Sequence, residues 1–305
     1  SSCFFMQKPL FLMLAAALLF PAMLACAQQS SEKSSAAEDP YYHDWKAELF
    51  ENGIQDNSFL IEESYNQDYG VVQHINNFER LWQSKTWVYT FTQEWPVDIA
   101  PKNQLSYTVA ATHSGSFPGS GVGMGDLALN YRYQLVGSGD TRIAVAPRIS
   151  LLLPSGDSTF GRGAGGVGIQ TNWAMSIVLN KKFTTHLNAG ATVTPNAKDE
   201  FGNSAANYAY NLGHSLVWTL HPRFNVFMET VFNRSQFVAG PNRAEWDSQV
   251  FINPGIRWAY NFSSGLQIVP GISMPIGVGP TAGEKGVFFY LSFEHPYRRI
   301  PRKKE

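Results

Sequence analysis

Residues Gly121–Asp157 read GVGMGDLALNYRYQLV, then GSGD, then TRIAVAPRISLLLPSGD. In the first part Leu127, Leu129, Tyr131, Tyr133 and Leu135 share one side, and Asp126, Ala128, Asn130, Arg132 and Gln134 the other. In the second, Ile143, Val145, Pro147, Ile149 and Leu151 oppose Arg142, Ala144, Ala146, Arg148 and Ser150. Alternation with a period of two means extended strands with one apolar and one polar face. The four-residue polar turn between them makes the pair a hairpin. A soluble strand averages roughly 5–6 residues, whereas a tilted membrane-spanning strand needs about 9–11. The length of this hairpin predicts the unit of a transmembrane β-barrel.

The rest of the chain repeats the pattern. Strands are expected near 70–78, 86–95, 103–113, 123–135, 141–153, 166–180, 183–195, 205–219, 222–235, 246–261, 265–276 and 286–295. Short connections (GSGD, KK, HP, FSS and the longer VDIAPK) alternate with long ones (SGSFPGS, SGDSTFGRG, NAKDEFGNS, FVAGPNRA and GVGPTAGEK). Short turns on one side and long loops on the other are the mark of an outer-membrane barrel. The expected fold is therefore all-β, a transmembrane antiparallel up-and-down β-barrel of about twelve strands with both termini in the periplasm. Trp87, Tyr89 and Phe91, then Trp173, Met175, Ile177 and Leu179, then Ile252, Ile256, Trp258 and Tyr260 form outward apolar ladders. Trp95, Trp218, Trp258 and Tyr260 gather near strand ends, as interfacial girdles do. The aromatic last strand VFFYLSF resembles the signal read by barrel-assembly machinery, although a basic tail follows it.

The same hairpin carries a family resemblance. GDLALNYRYQL (125–135), followed by a strand ending in LLLPSGD (151–157), resembles the MetA-pathway-of-phenol-degradation family of proteobacterial outer-membrane proteins. The resemblance runs from Gly70 to near the end of the chain and is most specific in this hairpin. It implies a barrel and a loosely assigned transport role for small, often aromatic compounds. It brings no catalytic residues. The earlier segment SFLIEESYNQDYGVVQHI also looks like barrels of this kind, without a role attached.

Composition narrows the classes. The formal net charge is −1 over 305 residues, which gives no electrostatic case for nucleic acid. Charged residues are 15% and aromatics 14%, a balance that suits a surface facing lipid. A large soluble β-sandwich or barrel is the competing class, and a soluble sandwich has no reason to sort its loops by length. The two cysteines, Cys3 and Cys26, both fall in the leader, so a mature chain would have neither a disulfide framework nor a Cys-ligated zinc.

Residues 1–27 read as a cleaved signal peptide, with Met6 as the start, Lys8 as the positive region, Leu10–Phe20 as the apolar core and Ala25-Cys26-Ala27 as the cleavage site. Met23-Leu24-Ala25-Cys26 also resembles a lipoprotein box, which would lipidate Cys26. Residues 28–56 read as a flexible periplasmic linker with one short helix over 41–50. His43, Asp44 and Glu48 lie at helical spacing there, but a solvated face explains them better than a metal. Residues 57–69 read as a periplasmic or plug-like segment with Glu62, Glu63 and Tyr65 as its candidate residues. Residues 70–296 form the barrel, and 297–305 a basic tail.

If lipid covers the outside, the opposite faces look inward. The candidate lumen-lining residues are Glu94, Asp126, Asn130, Arg132, Arg142, Arg148, His186, Asn188, Asn211, Glu229, Asn253, Arg257 and Glu294. Two meanings compete for them. They pair with one another inside a narrow barrel, or they line a water-filled path that selects solutes. An enzyme reading finds only His214-Ser215, where neighbours face opposite sides unless Gly213 bulges the strand. No GxSxG or HExxH motif exists, and GRGAGGVG (161–168) lacks the Lys-Ser/Thr of a phosphate loop. No cofactor or metal is expected. An adhesion barrel would need longer loops. The best reading is a monomeric outer-membrane channel of a Gram-negative bacterium for small molecules, with lipid, a solute and the assembly machinery as partners.

Overall fold

The computed structural model describes residues 54–97, 102–115 and 121–297. The signal peptide, Cys26, the linker helix and the basic tail from residue 298 lie outside the described residues.

Fifteen hydrogen-bonded segments make twelve passes. They are β1 Val71–Leu81, β2 Trp87–Pro96, β3 Asn103–His113, β4 Gly123–Met124, β5 Leu127–Tyr133, β6 Ile143–Leu153, β7 Gly168–Asn180, β8 Phe183–Lys198, β9 Ser204–His221, β10 Phe224–Gly240, β11 Arg243–Trp258, β12 Tyr260–Asn261, β13 Gln267–Ser273, β14 Ile276–Gly277 and β15 Gly286–Pro296. Segments β4 and β5 belong to one pass, as do β11 and β12, and β13 and β14. All neighbours pair antiparallel, and β15 pairs with β1 from Val71↔Pro296 to Leu81↔Gly286, closing the barrel. Closure removes the unpaired edges that hydrocarbon would not tolerate.

The faces are inverted relative to a soluble protein. Outward-facing Leu129, Tyr131, Ile149 and Leu151 are exposed, while inward-facing Asn130, Arg132 and Ser150 are buried. Apolar exposure around a closed wall fits only an apolar surround. Aromatic pairs mark the two margins of the band. Phe183 stacks on Trp218 near the end where β1 starts and β15 finishes (centroids 6.0 Å apart). Tyr210 stacks on Trp246 toward the other end (5.7 Å). From Trp218 to Tyr210 the strand rises about 26 Å, or about 20 Å after tilting, close to the height of an outer-membrane band.

Two expected loops are instead strand. FVAGPNRA lies mostly in the ends of β10 and β11, which meet at the turn Pro241-Asn242, with Asn242 at a φ of +52°. NAKDEFGNS shrinks to residues 199–203, because β8 continues through Lys198. Strands β8 to β11 thus have 16, 18, 17 and 16 residues, well beyond the about 9–11 that cross a bilayer. Cross-strand pairs such as Arg234 over Trp246 keep these polar extensions extended (5.2 Å to the ring centroid). The surplus lies entirely at the loop end, because the turns at 181–182 and 222–223 are tight.

Candidate functional site

Residues 54–69 carry no strand or helix; 54–67 lie inside the barrel, and Asp68 and Tyr69 are exposed. A backbone without a ladder must find side-chain partners when buried. The wall supplies them one by one. The amides of Phe59, Leu60 and Ile61 all donate to Glu229 Oε1, at 3.0, 3.0 and 3.1 Å. Asn188 holds Glu62 in both directions, accepting from its amide and donating to its carbonyl, each at 2.9 Å. The amide of Ser64 donates to Ser176 Oγ (3.0 Å), that of Asn66 to Gln134 (2.9 Å) and that of Gln67 to Gln104 (2.7 Å). Arg257 donates to the carbonyls of Asp56 and Asn57, and Arg132 to that of Tyr65. Asp56 accepts from Tyr290, Ser292 and Gln73.

The segment runs as a loop within the lumen. Gln55 bonds Gly139 O and Asn66 bonds Lys102 O, both in turns at the end where β1 starts. Between them the chain climbs to an apex at Leu60–Glu62. Apolar packing fixes the climb: Phe59 stacks on Tyr290 (4.9 Å) and meets Phe227 edge-on (4.6 Å). Two glycines make room for it. A Cβ on Gly213 would lie 2.1 Å from Ile61 Cδ1, and one on Gly271 2.3 Å from Phe59 Cζ.

At the apex Glu62 meets Arg148. Arg148 Nε lies 3.1 Å from both carboxylate oxygens and Nη2 lies 2.5 Å from Oε1. Arg148 Nη1 turns to Gln170 Oε1 (3.1 Å), Ser150 and Asn130. Arg132 lies 3.7 Å from Glu94, which also accepts from Gln104 (2.8 Å). Beside the apex is a cavity of about 290 Å³, whose lining mixes Phe59, Leu60 and Ile75 with Glu62, Asn130 and Arg148.

Most of the expected inward residues do face the interior. Glu94, Asn130, Arg132, Arg148, Asn188, Glu229 and Arg257 hold the segment or the wall beside it. His186 reaches it through Ser176 (2.8 Å), and Asn253 through Glu229 (2.6 Å). Asn211 bonds Asn172 (3.5 Å), and Glu294 pairs in register with Gln73 and Gln267. Asp126 instead ties down the loop over 154–167, accepting from the amides of Gly156 (3.0 Å) and Ala164 (2.7 Å). Arg142 is a correction. It is exposed in the turn just before β6, where the chain has already left the barrel wall. In the segment itself, Glu62 points to Arg148, Glu63 is buried, and Tyr65 lies edge-on to His186 (6.3 Å). Gly213 makes no bulge: β9 pairs continuously with both neighbours there, and His214 stays exposed on the outer face, 3.0 Å from Thr185 Oγ1.

Sequence reasoning missed the apolar patch inside the barrel, formed by Phe59, Phe227, Phe288, Tyr290, Val217 and Val269. The alternation of VFFYLSF already puts Phe288 and Tyr290 inward. With a polar lumen as the expectation, these aromatics have no partner until Phe59 supplies one.

No protein-family model and no curated protein matches the chain. Among solved structures it is similar to the COG4313 outer membrane channel from Pseudomonas putida F1, with a TM-score of 0.53 at 11% identity, over 76% of this chain and 97% of that one. The NanC porin aligns over 73% of this chain and 98% of its own at 8% identity, with a TM-score of 0.47. The KdgM porin aligns over 74% and 99% at 8% identity, with a TM-score of 0.44. At 11% identity the likeness to the channel is one of fold alone, and the fold of this chain is a closed twelve-pass antiparallel barrel.

Proposed function

We propose that this protein is a Gram-negative outer-membrane channel for small molecules, and that residues 54–69 close its lumen at rest. One observation carries the reading. The segment is attached to the wall through side chains such as Glu229, Asn188 and Arg148, and no strand pairs with it. Side-chain bonds can pass to water or solute without opening the wall, whereas ladder bonds cannot. The likeness in fold to an outer-membrane channel supports the same reading, as does the resemblance of the 125–157 hairpin to the MetA-pathway family. The inner aromatic patch around Phe59 favours solutes with an apolar body, in keeping with the aromatic compounds which that resemblance implies. The termini and tight turns then face the periplasm, and the tall strands β8 to β11 face outward.

The test is conductance in planar bilayers. A variant lacking residues 54–69 is expected to insert and conduct salt at a clearly higher level than the full-length barrel. An inserted deletion variant that seals as well as the full-length protein would overturn the reading.

A further inference from the structure

We infer that the cavity beside the apex is a recognition site for a small amphipathic carboxylate, which takes the place of Glu62 on Arg148 and so loosens the apex. The inference rests on the channel reading above and names its solute class.

Three observations meet here. First, Arg148 is the one cation among the described residues lining the cavity, and its Nε and Nη2 are already presented to a carboxylate, that of Glu62. A two-pronged guanidinium recognises carboxylates by geometry as well as charge. Second, that carboxylate belongs to the segment and not to the wall. Side-chain exposure is 29% for Glu62 and 15% for Arg148, so the pair borders open space and is not sealed in the core. An incoming carboxylate can therefore replace it without leaving Arg148 unpaired, and Glu62 can swing into the water of the cavity. Arg148 Nη1 stays fixed by Gln170, Ser150 and Asn130, so the fork keeps its aim during the exchange. Third, the lining also carries an apolar group, Phe59, Leu60, Ile75 and the ring of Tyr290, beside the neutral polar side chains of Asn77, Thr90, Thr92 and Thr108 and the carboxyl of Glu94. A solute with its charge on Arg148 lays its body on the apolar group. The volume, about 290 Å³, is at the small end for ligand pockets, which run from about 300 to 1,000 Å³, and so limits the solute to a small molecule. Once Arg148 has exchanged partners, the apex keeps Asn188 at Glu62 and Glu229 at residues 59–61 but has lost its ion pair, and is freer to withdraw.

The experiment uses the full-length barrel in planar bilayers with sodium pentanoate, pentanamide and pentylammonium chloride as probes. Pentanoate is expected to raise the current, and the amide and the ammonium are not. Arg148→Gln should abolish the response. Arg148→Lys keeps the charge but not the fork and should weaken the apparent affinity about tenfold. It also decides the matter if the Gln variant does not fold. Glu62→Gln should give a raised current without added carboxylate. Equal responses to pentanoate and pentanamide, or a full response in Arg148→Lys or Arg148→Gln, would overturn the proposal. The 54–69 deletion separates the two readings. If it conducts while pentanoate has no effect on the full-length barrel, the carboxylate site fails alone. If it does not conduct, both fail.

Discussion

Three consecutive amides, those of Phe59, Leu60 and Ile61, end on a single oxygen of Glu229, while the other oxygen accepts from Asn253. A carboxylate suits this position because it is only an acceptor, and four donors converge on it. Glu229→Gln would aim an amide N–H₂ at the Asn253 amide or at the backbone N–H groups. A hydrogen bond to a charged group contributes about 1.5–3 kcal/mol, and an orphaned buried N–H costs about 1–3 kcal/mol. Glu229→Gln is thus expected to destabilise the lodged segment by about 2 kcal/mol, and Glu229→Ala by more. Amide hydrogen exchange at residues 59–61 is the measurement, and unchanged protection in both variants would refute the role. At this scale the sequence was informative about direction and silent about partners. Alternation put Glu229, Asn188 and Arg257 inside. Nothing in the local pattern shows that they bond to backbone more than 100 residues earlier in the chain. Gly213 is a clear case, since a glycine within a strand reads as a bulge or as a close approach, and only the position of Ile61 decides between them.

Among the elements, strands were legible because their two faces meet opposite solvents, which makes the alternation strict. Loops were less so. The residues that extend β10 include Gly240, and Pro241 follows in the turn; both are ordinary breakers, yet they sit at the tip of a ribbon held by cross-strand pairs. The loop before β15 gives a pH test. Glu284 accepts from the amides of Gln83 and Ser84 at 2.8 and 2.9 Å, joining that loop to the β1–β2 connection. Burial pushes its carboxyl up, but these amides outweigh it and hold it below its ordinary value of 4.5. A carboxyl with a lowered folded value stabilises the folded state above the unfolded value, and that contribution is lost as pH falls through the folded one. The two loops should therefore separate as the pH drops below about 4.5, and Glu284→Gln should separate them at neutral pH. Proteolysis at residues 82–86 across pH measures this. A cleavage rate in Glu284→Gln equal to the unmodified protein's at pH 7 would count against the clasp.

At the scale of the whole molecule, the arrangement of greasy outside and polar inside makes one substitution diagnostic. Ile149 is exposed on the outer face near the middle of β6. On a water-soluble protein, changing such a residue to Arg would alter stability by about 0.5 kcal/mol or less. In a bilayer, Arg near the midplane costs about 2–4 kcal/mol. Ile149→Arg is expected to show the larger loss when the barrel is unfolded by urea from lipid vesicles, and a neutral result would remove the basis for a membrane setting. The order in which this object can be made follows from the segment in its lumen. Asp56, near the start of the described chain, is satisfied by Tyr290 and Ser292, near its end. The segment before the first strand must therefore wait, its polar groups uncommitted, until the last pass has arrived. Sealing the seam between β1 and β15 without that part in place would leave a hollow cylinder. Completion is thus built into the fold: a finished molecule has swallowed the stretch that precedes its first strand.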